Sequence, residues 1–120
     1  MNYHLVNAEP NSYIVCLPEA TPLSNAQDAL DLVAACGEYE VSRVLIPEGC
    51  LGEDFYNLKT GLVGEVLLKF SNYRIKAAAV ISPELLGKGK FYEFALETNR
   101  GRDFRIFSDQ QKAVEWLTRD

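Results

Sequence analysis

Apolar positions along this chain switch repeatedly between the short runs of a strand and the three-to-four-residue spacing of a helix. Tyr3–Val6 and Ser12–Leu17 are rich in strand-forming residues, and Glu9-Pro10-Asn11 between them is a turn signal. The two are expected to form an antiparallel hairpin. Ser24-Asn25-Ala26-Gln27 matches the capping box, in which the first and last side chains satisfy backbone donors at a helix start. Ala26, Leu30, Val33 and Ala34 follow at helical spacing, and Gly37 is placed to end that helix in a left-handed conformation. Val44-Leu45-Ile46 is a short apolar strand, and Glu48 to Leu58 reads as a loop. The loop leads into the most amphipathic helix, where Val63, Val66, Leu67 and Phe70 lie on one face.

Ile75 to Ile81 is apolar on both faces, as the middle strand of a helix-covered parallel sheet must be. Ser82-Pro83 is a cap followed by proline at the first helical position. The Gly87-Lys88-Gly89-Lys90 break separates that first turn from a helix through Phe91, Phe94 and Ala95, which Gly101 is expected to close. Phe104–Phe107 is the last strand. Ser108-Asp109-Gln110-Gln111 repeats the capping box, and Ala113, Val114 and Leu117 give the last helix its stripe, with Trp116 on the edge. The order β-β-α-β-α-β-α-β-α predicts an α/β fold over residues 1–120 as a single domain. It has one mostly parallel sheet of about five strands, helices on both faces, and the first strand antiparallel at or near an edge.

That order also sorts the polar residues. Strand-to-helix loops lie at the carboxyl ends of the strands and collect Glu53, Asp54, Asn57, Lys59, Thr60, Ser82, Glu84, Lys88 and Ser108. Helix-to-strand loops lie at the opposite rim and collect Glu38, Glu40, Arg43, Asn72, Tyr73, Arg74, Asn99, Arg100 and Arg102. No single site draws on both. Ligands of open α/β sheets favour the carboxyl rim, where helix N-termini offer free N–H groups.

Composition narrows the picture. The apolar fraction of 48% and charged fraction of 24% are those of a globular domain. The opening residues have no signal-peptide pattern and no stretch approaches a membrane span, so a cytoplasmic protein with no membrane association is expected. Cys16, Cys36 and Cys50 are odd in number and sit among apolar residues, so they read as core residues. With His4 as the only histidine and no Cys-x-x-Cys, a histidine-based zinc site cannot be composed, and no cofactor is expected. The net charge of −5 is unevenly spread. Residues 1–58 hold one basic residue against nine acidic, and residues 59–120 hold eleven against eight. The acidic total argues against nucleic acid, while the basic second half offers a local site to a small anion.

Two constellations follow. Lys59-Thr60-Gly61 opens the strongest helix, where a hydroxyl can cap the helix and a phosphoryl group on that hydroxyl would be stabilised. Asn72, Arg74, Asn99, Arg100 and Arg102 gather at two helix ends, where cations favour the helix dipole or form a guanidinium cluster for a carboxylate or phosphate. The lone His4 leaves no Ser-His-Asp or Cys-His pair, and Gly87–Lys90 lacks the spacing of a phosphate-binding loop, so the residues lean away from an enzyme.

From Val44 onward the chain resembles the STAS domain, the module of anti-sigma-factor antagonists and of sulfate-transporter tails. The resemblance rests on Val44-Leu45-Ile46, Asp54-Phe55 through Thr60-Gly61-Leu62, Ile75–Ile81 with Ser82-Pro83-Glu84, and Phe104–Ser108 before the Ala113–Leu117 helix. Such antagonists carry a phosphorylatable Ser or Thr followed by Gly at the start of the corresponding helix, and Thr60-Gly61 falls there. Leu58-Lys59 replaces the Asp-Ser that usually precedes it. Over its whole length the chain is more similar to an uncharacterised bacterial family, domain of unknown function 4180. Asp54–Glu65, Phe70–Lys76 and Thr98–Arg105 carry that likeness. The resemblances imply a regulatory, protein-interaction module with a protein partner and a contact or switch surface at Asp54, Asn57, Lys59, Thr60 and Gly61. The alternative is a binder of a small anionic metabolite through Arg74, Arg100 and Arg102, and a homodimer is a third reading.

Overall fold

In the computed structural model, which describes residues 2–18 and 22–119, five strands make one sheet in sequential order. They are β1 (Asn2–Val6), β2 (Tyr13–Leu17), β3 (Arg43–Pro47), β4 (Lys76–Val80) and β5 (Phe104–Phe107). β1 pairs antiparallel with β2, Tyr3 opposite Cys16 and Leu5 opposite Ile14, as the hairpin signal requires. The other neighbours are parallel, with Arg43 beside Lys76 and Ala78 beside Arg105. The helices are α1 (Ala26–Glu38), α2 (Glu53–Tyr56), α3 (Leu62–Asn72), α4 (Pro83–Leu86), α5 (Lys90–Thr98) and α6 (Gln110–Thr118). No helix among the described residues is long and apolar enough to cross a membrane.

The sequential order distributes the helices unequally. From β2 to β5 each strand is added on the same side of the last, so right-handed crossovers place α1, α3 and α5 on one face. α6 follows the final strand and is the only helix on the other face among the described residues. The core divides accordingly. Val44 and Ile46 of β3 and Ala77 and Ala79 of β4 pack with Leu32, Val66, Phe70 and Phe91 of α1, α3 and α5. Their alternate neighbours Leu45 and Ala78 pack with Ala113, Trp116 and Leu117 of α6.

Four local expectations are corrected. α1 starts at Asn25, whose Oδ1 accepts from Asp28 N at 3.0 Å, while the Ser24 hydroxyl turns back to Pro22 O. α6 likewise starts at Asp109, not Ser108. In both places two capping side chains stand in tandem, and the second, being acidic or amide, reaches the free N–H groups. Neither Gly37 nor Gly101 adopts a left-handed conformation; α1 runs past Gly37 to Glu38, and Asn99 caps α5. The segment expected as a loop is mostly helical: a 3-10 turn at Glu48–Cys50, α2, and a second 3-10 turn at Leu58–Thr60.

Candidate functional site

The carboxyl-rim crossover between β3 and α3 is held by short-range hydrogen bonds. Asn57 Oδ1 accepts from Lys59 N at 3.1 Å and shapes the Leu58–Thr60 turn. The single proton of Thr60 Oγ1 is shared between Asp54 O at 2.8 Å and Asn57 O at 2.9 Å, and the oxygen accepts from Leu62 N at 3.2 Å. Gly61 then takes φ +76° to open α3. The sequence places Thr60 as a cap of this helix; Gly61 takes the N-cap position, while the Thr60 hydroxyl one residue earlier accepts from the N–H of Leu62. Thr60 is the joint between the end of α2 and the start of α3. Asp54, Asn57, Lys59, Thr60 and Gly61 form one contiguous exposed turn. Gly64 is exposed with open space where a Cβ would stand, so no chain approaches it.

Two carboxyl-rim residues outside that set stand out. Glu48 Oε1 accepts from Ser82 N at 2.6 Å and joins the loops that follow β3 and β4. The Tyr56 hydroxyl is buried without a hydrogen-bond partner among the described residues. Burial first, and the Glu48 carboxylate second, push it up to about 12. Beside it a groove of about 290 Å³ runs between Asn57–Lys59 and Lys90–Phe91. Neither residue bears a sequence signal, because a single Glu or Tyr in an irregular segment has no period to mark it.

The opposite rim is assembled differently from expectation. Asn72 and Arg74 are exposed at the end of α3, Arg74 at φ 57°. Arg100 reaches Glu97 at 3.9 Å, both side chains being largely exposed, a pair worth little in water. Asn99 serves the sheet: its Oδ1 accepts from Ile106 N at 2.7 Å and its Nδ2 donates to Ile106 O at 3.0 Å. Thr98 Oγ1 donates to Phe104 O at 3.1 Å. β5 is an edge strand, and these two side chains occupy the backbone groups it would otherwise leave open. Asn99→Ala is expected to cost about 2 kcal/mol, two hydrogen bonds near the usual net value with one backbone pair exposed. Urea unfolding followed by circular dichroism measures it, and a change within error of zero would remove Asn99 from this role.

Arg102 lies apart from Arg74 and Arg100 in another respect: it lines a groove of about 400 Å³ with Arg43, Lys76, Arg105, Trp116 and Arg119. The structure thus brings one of the five predicted anion-binding residues to a cavity and gives it different companions. Arg105 and Arg119 were not singled out from the sequence as ligands. Only the pairing of strands, which sets β3 beside β4 and β4 beside β5, and the return of α6 bring them there.

The cysteines Cys16, Cys36 and Cys50 are free and buried. The Cys16 thiol is pushed up by donating to Cys50 and by burial, and burial pushes Cys36 up to about 11. Cys16 and Cys36 are inert core thiols, whereas the bond accepted from Cys16 lowers Cys50 against the opposing effect of its burial. Among the described residues no cluster of three or more His, Cys, Asp or Glu side chains could hold a metal ion.

Fold and rims together define a small α/β domain with a hydrogen-bonded turn on one rim and a cationic groove on the other. The family model described as Domain of unknown function (DUF4180) matches residues 8–117, and the chain belongs to that family. No curated protein and no solved structure is significantly similar to it.

Proposed function

We propose that this protein is a non-enzymatic, STAS-like regulatory or protein-interaction module. Its contact surface is the carboxyl-rim turn of Asp54, Asn57, Lys59, Thr60 and Gly61, and Thr60 is its switch. The observation that carries this reading is the bonding of Thr60 Oγ1, on an exposed residue, which ties α2 to the start of α3 through one proton shared by two carbonyls and one accepted N–H. Its position just before Gly61 and α3 is the one that the resemblance to anti-sigma-factor antagonists implies.

The switch follows from that bonding. A kinase partner that transfers a phosphoryl group from a nucleoside triphosphate replaces the Oγ1 proton, so the donor to Asp54 O and Asn57 O is lost. About two negative charges then stand against the carbonyl oxygens of Asp54 and Asn57. The turn must rearrange, and the surface it presents changes. Thr60→Glu imitates the lost donor and part of the charge, and is expected to cost about 1–2 kcal/mol, while Thr60→Ser, which keeps the hydroxyl, stays within about 0.5 kcal/mol of the wild type. Partners captured from a bacterial lysate by the three proteins test the functional part. The expected result is a partner held by wild type and Thr60→Ser and absent with Thr60→Glu; identical sets, or none with any, count against the proposal.

A further inference from the structure

We infer that the groove between the amino-terminal ends of β3–β5 and the end of α6 is a binding site for a small phosphorylated anion. Arg102, Arg105 and Arg119 are its ligating side chains. The site is on the opposite rim from Thr60 and does not depend on the function proposed for that turn.

The groove holds about 400 Å³ and is lined by five cationic side chains and Trp116, with no carboxylate among the described lining residues. None of Arg43, Arg102, Arg105 and Arg119 is within ion-pair distance of a described carboxylate; the neighbouring Asp103 lines the cavity on the other side of Arg102. In a protein of net charge −5, this many positive groups around one concavity repel one another at a cost that a bound anion removes.

The five cations divide by what already occupies them. Arg43 Nη1 donates to Leu117 O and to Arg119 O, each at 2.6 Å, and Lys76 Nζ donates to Trp116 O at 2.7 Å. These two cap the carbonyl end of α6, where its dipole is negative, and so fasten the helix to the sheet. Lys76 also stands 4.4 Å from the Trp116 ring and the Arg105 guanidinium 5.2 Å from it, so the indole carries two cations and offers no free face for a base to stack on. The remaining three guanidinium groups keep donors in hand. Arg105 commits Nε to Gly101 O at 2.8 Å, which orients its two terminal nitrogens, and Arg119 commits Nε to Glu115 O at 3.4 Å. Arg102 has no side-chain hydrogen bond to a described residue. Three guanidinium groups from two segments, the entry to β5 and the end of α6, line one volume. They suit a tetrahedral oxyanion with several acceptor oxygens better than a single planar carboxylate, which one fork saturates. The volume accommodates more than one phosphoryl group, and the lack of a stacking face points to recognition of charge and not of a base.

Isothermal titration of the full chain with pyrophosphate at low ionic strength tests the inference, with citrate, an anion of similar charge built from carboxylates, as the comparison. Pyrophosphate is expected to bind at least about fivefold more tightly than citrate, and to weaken as salt is added. Arg102→Ala and Arg119→Ala are expected each to weaken pyrophosphate about tenfold, since each removes a charge-assisted contact. Arg74→Ala and Arg100→Ala, outside the groove, are expected to stay within about twofold. Neither Arg102 nor Arg119 fastens one element to another through its side chain, and unchanged melting without ligand verifies that the variants fold. Absence of pyrophosphate binding, tighter binding of citrate, or sensitivity to Arg100→Ala in place of Arg102→Ala would each overturn the site.

Discussion

Replacing Phe55 by alanine is expected to lower the stability of the domain by about 3–5 kcal/mol, the usual range for truncating a fully buried phenylalanine. Phe55 belongs to α2, a helix of four residues, yet it is one of the largest side chains with no exposure at all. It meets Phe91 of α5 edge-on at a ring separation of 6.0 Å and its neighbour Tyr56 at 6.1 Å. It therefore pins the whole crossover between β3 and α3 to the core. Against a total of about 5–15 kcal/mol for a domain of this size, the loss is a large share. Urea unfolding by circular dichroism gives the number. A loss below about 1 kcal/mol would mean that the neighbouring aromatic rings refill the space, and that α2 does not anchor the rim.

Trp116→Ala is expected to have a comparable effect, again about 3–5 kcal/mol, by a different route. α6 is the only helix on its face among the described residues, and Trp116 is its largest buried side chain, packed on Phe107 at a ring separation of 5.7 Å. Alanine removes that contact and the indole under Lys76 and Arg105 together. The expected sign is early loss of α6: amides of Ala113–Leu117 exchange faster than those of β3 and β4. Uniform acceleration through the sheet would instead show that α6 and the sheet unfold as one unit.

The strands and the longer helices were legible because each has a period. Val63, Val66, Leu67 and Phe70 mark α3, and the unbroken run at Ala77–Ala79 marks a strand covered on both sides, which it is. α2 and the two 3-10 turns were not legible, since three or four residues are too few to show one. Helix ends were misplaced for a related reason. α1 and α3 end in left-handed residues, but these are Glu40 and Arg74, both at φ 57°. Val41 N donates back to Cys36 O at 2.9 Å and Ile75 N to Phe70 O at 2.8 Å, the bonding that glycine usually supports. A sequence with Gly37 nearby points to the glycine, and tertiary packing of Val41 and Ile75 overrides it.

For the candidate sites, the division into two rims was legible from element order alone, and their composition was not. Asn99 carries the residue type of an anion ligand, but the outward N–H and C=O of Ile106 claim its amide. Arg105 reads as an ordinary outward strand residue. Sequence proximity sets it near Arg102, but only the return of α6 brings Arg119 to them. Thr60 was located by sequence, but its bonding to Asp54 and Asn57 depends on α2, which was not foreseen.

If the Thr60 hydroxyl is a local joint, its loss rearranges one rim and leaves the rest of the domain intact. Amide hydrogen exchange of wild type, Thr60→Ser and Thr60→Glu, resolved by residue, tests it most directly. Faster exchange is expected at Lys59, Thr60, Gly61 and Leu62 in Thr60→Glu only, with the strand amides of β3 and β4 unchanged in all three. Unchanged exchange across that turn in Thr60→Glu, or acceleration spread evenly through the sheet, would contradict it.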